Sequence, residues 1–195
     1  MQLTEYEESL RSTVRLARIV CAGAAASIFL RDPESGALVF EVSSGVGQDE
    51  IVGMEVPAGQ GIVGWVADAG EPLVLRDVQS DQRFARDRAE ETGYVPRTMM
   101  ATPVFCRGEV AGVMEVLDPG SLDGPDGPRD LEALDVLTEI AGQVGLLLQH
   151  FELRRSTGPV SDELTNEFRD LVNSIPDDRV SDLRHLVSGL RAVLS

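Results

Sequence analysis

The sequence contains no lysine: all 17 of its basic residues are arginine, set against 33 acidic residues for a net charge of −16. Without an ammonium side chain there is no Schiff-base enzyme, no catalytic lysine and no Walker-type phosphate loop. The acidic excess opposes nucleic acid and anionic membrane surfaces, so neither is an expected partner. Cysteine is scarce. Cys21 and Cys106 make no C-x-x-C pair and no disulfide framework, which fits a reducing compartment. His150 and His185 stand far apart without clustered ligands, so no metal site is expected. No run approaches the ~18 apolar residues of a membrane span, and the first residues, "MQLTEYEESLRSTVRL", are too polar and acidic for a signal peptide. A cytoplasmic location is the expectation.

What remains is 195 residues that are 43% hydrophobic, enough for one domain with a real core and an appendage. Leu3, Tyr6, Leu10, Val14, Ala17 and Cys21 recur at helical spacing and predict an amphipathic helix. Ser27 to Arg31 and Ala37 to Ser43 read as a hairpin joined by the turn formers Asp32 to Gly36. A short strand is expected near Ile51 to Val56, a helix of two to three turns from Gly61 to Ala69, and a brief strand at "PLVL". From Thr98, "TMMATPVFCRG" and "EVAGVMEVLD" form a second hairpin of strands covered on both faces. Asp130 is placed to cap a long helix, Leu131 to about Arg155. Within it Leu134, Leu137, Ala141, Val144, Leu148 and Phe151 repeat as a heptad seam. A second stripe, Leu131, Val136, Ile140 and Leu147, lies beside it. After Ser156 to Pro159 come two shorter amphipathic segments, Leu164 to Ile175 and Val180 to Leu194.

Gly59, Gly61 and Gly64 have the spacing G-x-G-x-x-G of a dinucleotide fingerprint, but the context is wrong. That fingerprint requires a buried strand running into the first glycine and a long helix whose N-terminus meets the pyrophosphate. Here Pro57 precedes the glycines and the helix after them is short. The glycines read instead as a tight turn into that helix, with Gly64 letting it lie close against a strand.

Taken together, "ASIFLRD" with "GALVF", "VPAGQGIVGWVADAGEPLVLRDVQSDQRF", "TGYVPRTMMATPVFCRGEVAGVMEVLD" and the long final helix resemble a GAF domain, over about Leu3 to Phe151. The resemblance implies an α+β fold: a six-stranded antiparallel sheet, terminal helices on one face and a lidded pocket on the other. It implies domains at 1–155 and, as a helical extension, 156–195. It further implies a regulatory or sensory module of the bacterial kind that binds a small molecule, without catalysis, and dimerises through its terminal helices. The expected dimer interface is Leu10, Val14, Leu137, Ala141, Val144, Leu148 and Phe151. Pocket candidates are Trp65, Asp77, Phe84, Tyr94, Arg97, Thr102 and Glu115. Glu115 is the most telling, because a carboxyl inside an apolar strand requires a partner. Arg76, Asp77, Asp81, Arg83, Arg86 and Arg97 read either as a salt-bridged surface or as guanidinium groups for an anionic ligand.

The cyclic-nucleotide signature of the family is mostly missing, since Asp118-Pro119 stands where an Asn-Lys pair is found. Neither cysteine precedes a histidine, so a covalent bilin is not expected. Two other readings stay open: a thiol-dependent methionine sulfoxide reductase using Cys106, and a ligand-free interaction module. No effector signature is present, so output requires a separate partner. The ligand and any cofactor remain unnamed at this level.

Overall fold

The computed structural model describes residues 2–46, 51–84, 94–123 and 128–173. The chain divides into two compact units, 1–151 and 152–195. The first unit opens with α1, Gln2–Val20. The strands β1, Ala25–Arg31, and β2, Leu38–Gly45, form the first hairpin. There follow β3, Glu55–Val56, α2, Gly61–Ala69, and β4, Leu73–Leu75. The second hairpin is β5, Met99–Cys106, with β6, Glu109–Leu117. A helix α3, Pro128–Asn173, comes last among the described residues.

The six strands form one antiparallel sheet in the order β3-β2-β1-β6-β5-β4. Each hairpin contributes half, and pairing of β1 with β6 joins the halves. Apolar residues line both faces of the central strands, so alternation sorts them into two layers. Ala26, Ile28, Met100, Val104, Met114 and Val116 pack with Leu10, Val14 and Ala17 of α1 and with Leu137, Ala141 and Val144 of α3. Phe29, Leu38, Met99, Ala101 and Val113 pack on the other side with Ile62, Val63 and Val66 of α2.

This layering corrects the expected interface. Leu10, Val14, Leu137, Ala141 and Val144 are fully enclosed and Leu148 nearly so, all within a single chain. A three-and-four repeat suits a partner helix and a sheet equally well, so spacing alone does not separate the two. The sheet claims the broader, charge-free stripe. Phe151 is half-buried, its ring edge-on to Tyr6 at 5.1 Å. The exposed apolar side chains lie on the opposite faces of the helices: Leu16, Ile19 and Val20 on α1, and Leu131, Val136 and Leu146 on α3.

Three local expectations change as well. The strand expected from Ile51 shrinks to Glu55–Val56. Asp130 sits inside the first turn of α3, where it pairs with Arg76 rather than capping. α3 also continues through Ser156 to Pro159 to reach Asn173. The segment Val180 to Leu194 lies outside the described residues.

The glycine turn is built as a unit. Gly59 and Gly61 have φ of +70° and +71°, values that side-chain-bearing residues rarely adopt. A Cβ on Gly64 would stand 2.8 Å from the carbonyl carbon of Gly59, so Gly64 packs on the turn itself and not on a strand.

Candidate ligand cavity

Between the sheet and α2 lies a cavity of about 120 Å³. Its floor is formed by Ala25, Ser27 and Phe29 of β1, Phe40 of β2, Met99 of β5, and Glu115 and Leu117 of β6. These positions share a face because the side chains of each strand alternate. Ile62 and Val63 of α2 close one wall, and Phe84, Tyr94 and Pro96 another.

Among the described residues Glu115 is the one carboxyl in this lining, and it is buried. It lies opposite Ser27 on β1 and Ala101 on β5. Burial pushes its carboxyl up to about 8, and a hydrogen bond from Ser27 opposes that rise only partly. At neutral pH the group is therefore mostly a neutral acid, able to donate. Ser27 in turn stands 3.2 Å from Ser43, which donates to the Ala26 carbonyl at the same distance. A polar line thus crosses β2, β1 and β6 beneath an otherwise apolar hollow.

Tyr94 is fixed from outside. Its hydroxyl donates to Asp118, whose carboxylate also accepts from the backbone N–H groups of Arg97 and Thr98, at 2.9 and 2.7 Å. Burial and the Asp118 carboxylate push the Tyr94 hydroxyl up to about 12. Burial alone would raise Asp118, but the hydrogen bonds from Tyr94, Thr98 and Arg97 outweigh it and hold the carboxyl below its ordinary value. Asp118 itself adopts φ of +46°, at the turn that ends β6.

Of the expected pocket residues, Phe84, Tyr94 and Glu115 line the cavity and four do not. Trp65 points elsewhere, its ring 4.7 Å beneath the Arg83 guanidinium. Asp77 accepts from the Ser80 backbone N–H and caps the short helix Val78–Ser80. Arg97 contributes its backbone to Asp118. Thr102 bonds Thr138 of α3 at 3.1 Å on the helical side, because its position in β5 has the opposite parity to Met99. The arginines are committed to ion pairs: Arg76 with Asp130, Arg83 with Asp81, and Arg31 with Asp68. Arg86 lies outside the described residues. Ser27 was legible by the same signal as Glu115, a polar residue within an apolar strand. Asp118 carried a weaker one, a carboxylate before proline at a strand end.

Both cysteines belong to the helical layer, across the sheet from the cavity. They form no disulfide, and burial pushes the Cys21 thiol above its ordinary value. Among the described residues no cluster of side chains could hold a metal ion, and no helix is long and apolar enough to cross a membrane.

The family model for the GAF domain matches residues 5–148. The chain belongs to the GAF domain family. Its sequence is 32% identical over 140 residues to the probable 3',5'-cyclic phosphodiesterase pde-5 of Caenorhabditis elegans, covering 66% of this chain and 18% of that protein. It is 33% identical over 95 residues to the cone cGMP-specific 3',5'-cyclic phosphodiesterase subunit alpha' of Mus musculus, 48% of this chain and 11% of that one. The chain thus spans less than a fifth of the length of these relatives. Among solved structures, the GAF domain of a phosphoenolpyruvate-protein phosphotransferase from Coxiella burnetii superposes with a TM-score of 0.67 at 18% identity, over 77% of this chain and 86% of that one. Free methionine-R-sulfoxide reductase from Neisseria meningitidis superposes with a TM-score of 0.56 at 19% identity, over 73% and 78%. At such identities the likeness is one of fold. The six-stranded antiparallel sheet and the terminal helices of the GAF fold are present in this chain, with a cavity on the α2 side of the sheet.

Proposed function

We propose that this chain is a non-catalytic regulatory GAF domain that binds a small molecule in the cavity and signals as a dimer through its terminal helices. The observation that carries the reading is the division of labour across the sheet. One face holds a mostly apolar hollow with the polar pair Ser27 and Glu115 on its floor, the general form of a small-molecule site. The other face carries the two helices, whose outward apolar residues await a second copy. Leu16, Ile19 and Val20 together with Leu131, Val136 and Leu146 form that contact, in place of the enclosed seam. Occupancy of the cavity biases how the helices pair, and an effector reads the change.

The position of the thiols disfavours the sulfoxide reductase reading. An attack from Cys21 or Cys106 on a cavity-bound substrate would have to cross the sheet, and the buried Cys21 thiol is a poor source of thiolate. Native mass spectrometry of the full chain, beside its denatured mass, tests the proposal. A two-subunit mass with a non-covalent small-molecule adduct is expected. A single-subunit mass overturns the dimer. Turnover of free methionine R-sulfoxide with dithiothreitol, abolished by Cys106→Ser, overturns the non-catalytic assignment.

A further inference from the structure

We propose that the cavity selects an uncharged, ring-sized molecule that places a hydrogen-bond acceptor against the Glu115 carboxyl, an inference that rests on the cavity being the binding site. Size comes first. A dry cavity of ~150 Å³ admits benzene, so a hollow of about 120 Å³ takes one small ring. Shape and surface follow from Phe29, Phe40, Met99 and Phe84, which offer rings and a thioether to a flat apolar body.

Charge narrows the class. Among the described residues, no arginine or histidine lines the cavity. Arg76, Arg83 and Arg31 are paired with aspartates elsewhere. Against the described lining an anion finds no counter-charge, and burying it there costs several kcal/mol before any gain. The phosphodiester of a cyclic nucleotide falls in that excluded class. An ammonium ligand fares no better, because pairing with it requires Glu115 to give up the proton that burial keeps on it, and both ions then lose water.

The remaining polar handle is a donor. Glu115 and Tyr94 are the titratable groups in the lining. The Tyr94 hydroxyl is directed to Asp118, outside the cavity, and stays protonated far above neutral pH. From β1 the group facing Glu115 is Ser27, and from β5 it is Ala101, neither of which titrates near neutrality. The proton on Glu115 is therefore what an incoming carbonyl or ether oxygen meets. Affinity should hold while that proton is present and fall tenfold for each pH unit above about 8.

Four probes on one ring test this: anisole, whose ether oxygen only accepts, with toluene, benzoate and benzylamine, the last as its ammonium at pH 6.5. Each is titrated into the full chain by NMR, following the backbone amides of Phe29 and Met99. Anisole should bind about tenfold tighter than the other three. Its affinity should fall about tenfold between pH 6.5 and pH 9 in the parent protein. Glu115→Gln keeps a donor that does not titrate, so its affinity should be flat over that range. Equal or tighter binding of toluene, benzoate or benzylammonium overturns the ligand class and leaves the cavity as the site. A flat profile in the parent, which requires no variant, overturns the role of Glu115. Failure of all four probes to shift either amide overturns the cavity reading itself.

Discussion

Replacing Glu115 by glutamine should change the pH dependence of folding in one direction only. In the folded chain the carboxyl titrates at about 8, against 4.5 ordinarily, because burial penalises the charged form. Below pH 4.5 both folded and unfolded chains hold the proton and no penalty exists. As pH rises from 4.5 toward 8 the unfolded chain releases it while the folded chain does not, so stability falls, and above 8 the loss is complete. At about 1.4 kcal/mol per pH unit, that window is worth about 5 kcal/mol. Such a loss is comparable to the whole stability of a small domain. Glutamine fills the same volume and stays neutral, so the variant is spared. Urea unfolding of both proteins at pH 4.5, 6.5 and 9 measures the difference. Other shifted carboxyls, Glu41 above its ordinary value and Asp32, Asp81 and Asp118 below theirs, are present in both proteins and cancel. The variant should gain on the parent as pH rises, by several kcal/mol at pH 9. A difference that stays constant from pH 4.5 to 9 would refute the reasoning, because it would mean that Glu115 is solvated.

Further expectations concern the frame around the cavity. A Cβ on Gly145 would stand 1.9 Å from the Phe105 carbonyl oxygen, whereas one on Gly142 meets nothing within 4 Å. Gly145→Ala should therefore cost several kcal/mol in denaturant unfolding, while Gly142→Ala should stabilise α3 by up to ~1 kcal/mol. Leu137→Ala empties an enclosed site and should cost roughly 2–5 kcal/mol, whereas Leu146→Ser should leave the melting temperature nearly unchanged and shift sedimentation from dimer to monomer. Asp118→Asn weakens the hold on Tyr94 and Thr98 and should cost roughly 1–2 kcal/mol at neutral pH. In the parent, the Asp118 carboxylate stabilises above its ordinary value of 3.8, and that contribution is lost as pH falls through its lowered folded value. The difference between the two proteins should accordingly shrink in acid.

The sheet was legible because both hairpins carry local signals: turn formers at Asp32 to Gly36, a glycine at Arg107-Gly108, and apolar strands on either side. Glu115 stood out for the same reason, as did the shortness of the helix after the glycines. Thr102 and the helical seam were not legible, because each depends on which face of a two-sided layer a residue occupies. A strand covered on both faces loses the apolar-polar alternation that would fix parity, and Thr102 then looks like Glu115. A helix with two apolar stripes likewise does not declare which one meets the sheet. Asp77 was misplaced because its partner, the Ser80 N–H, belongs to the backbone, and Arg76, open between a salt bridge and a ligand contact, finds its partner Asp130 far along the chain. Charge alternation alone cannot name them. The close approach of α3 at Gly145 is set by tertiary contact and leaves no local mark.

The account stands on an accessible apolar hollow on the α2 side of the sheet. Xenon occupies dry cavities of this kind, and a crystal of the full chain under xenon pressure reports its position directly. An anomalous peak beside Phe29, Met99 and Phe84, above Glu115, is the predicted result. A crystal with no peak there, or with xenon only among Leu10, Leu137 and Val144, would contradict it.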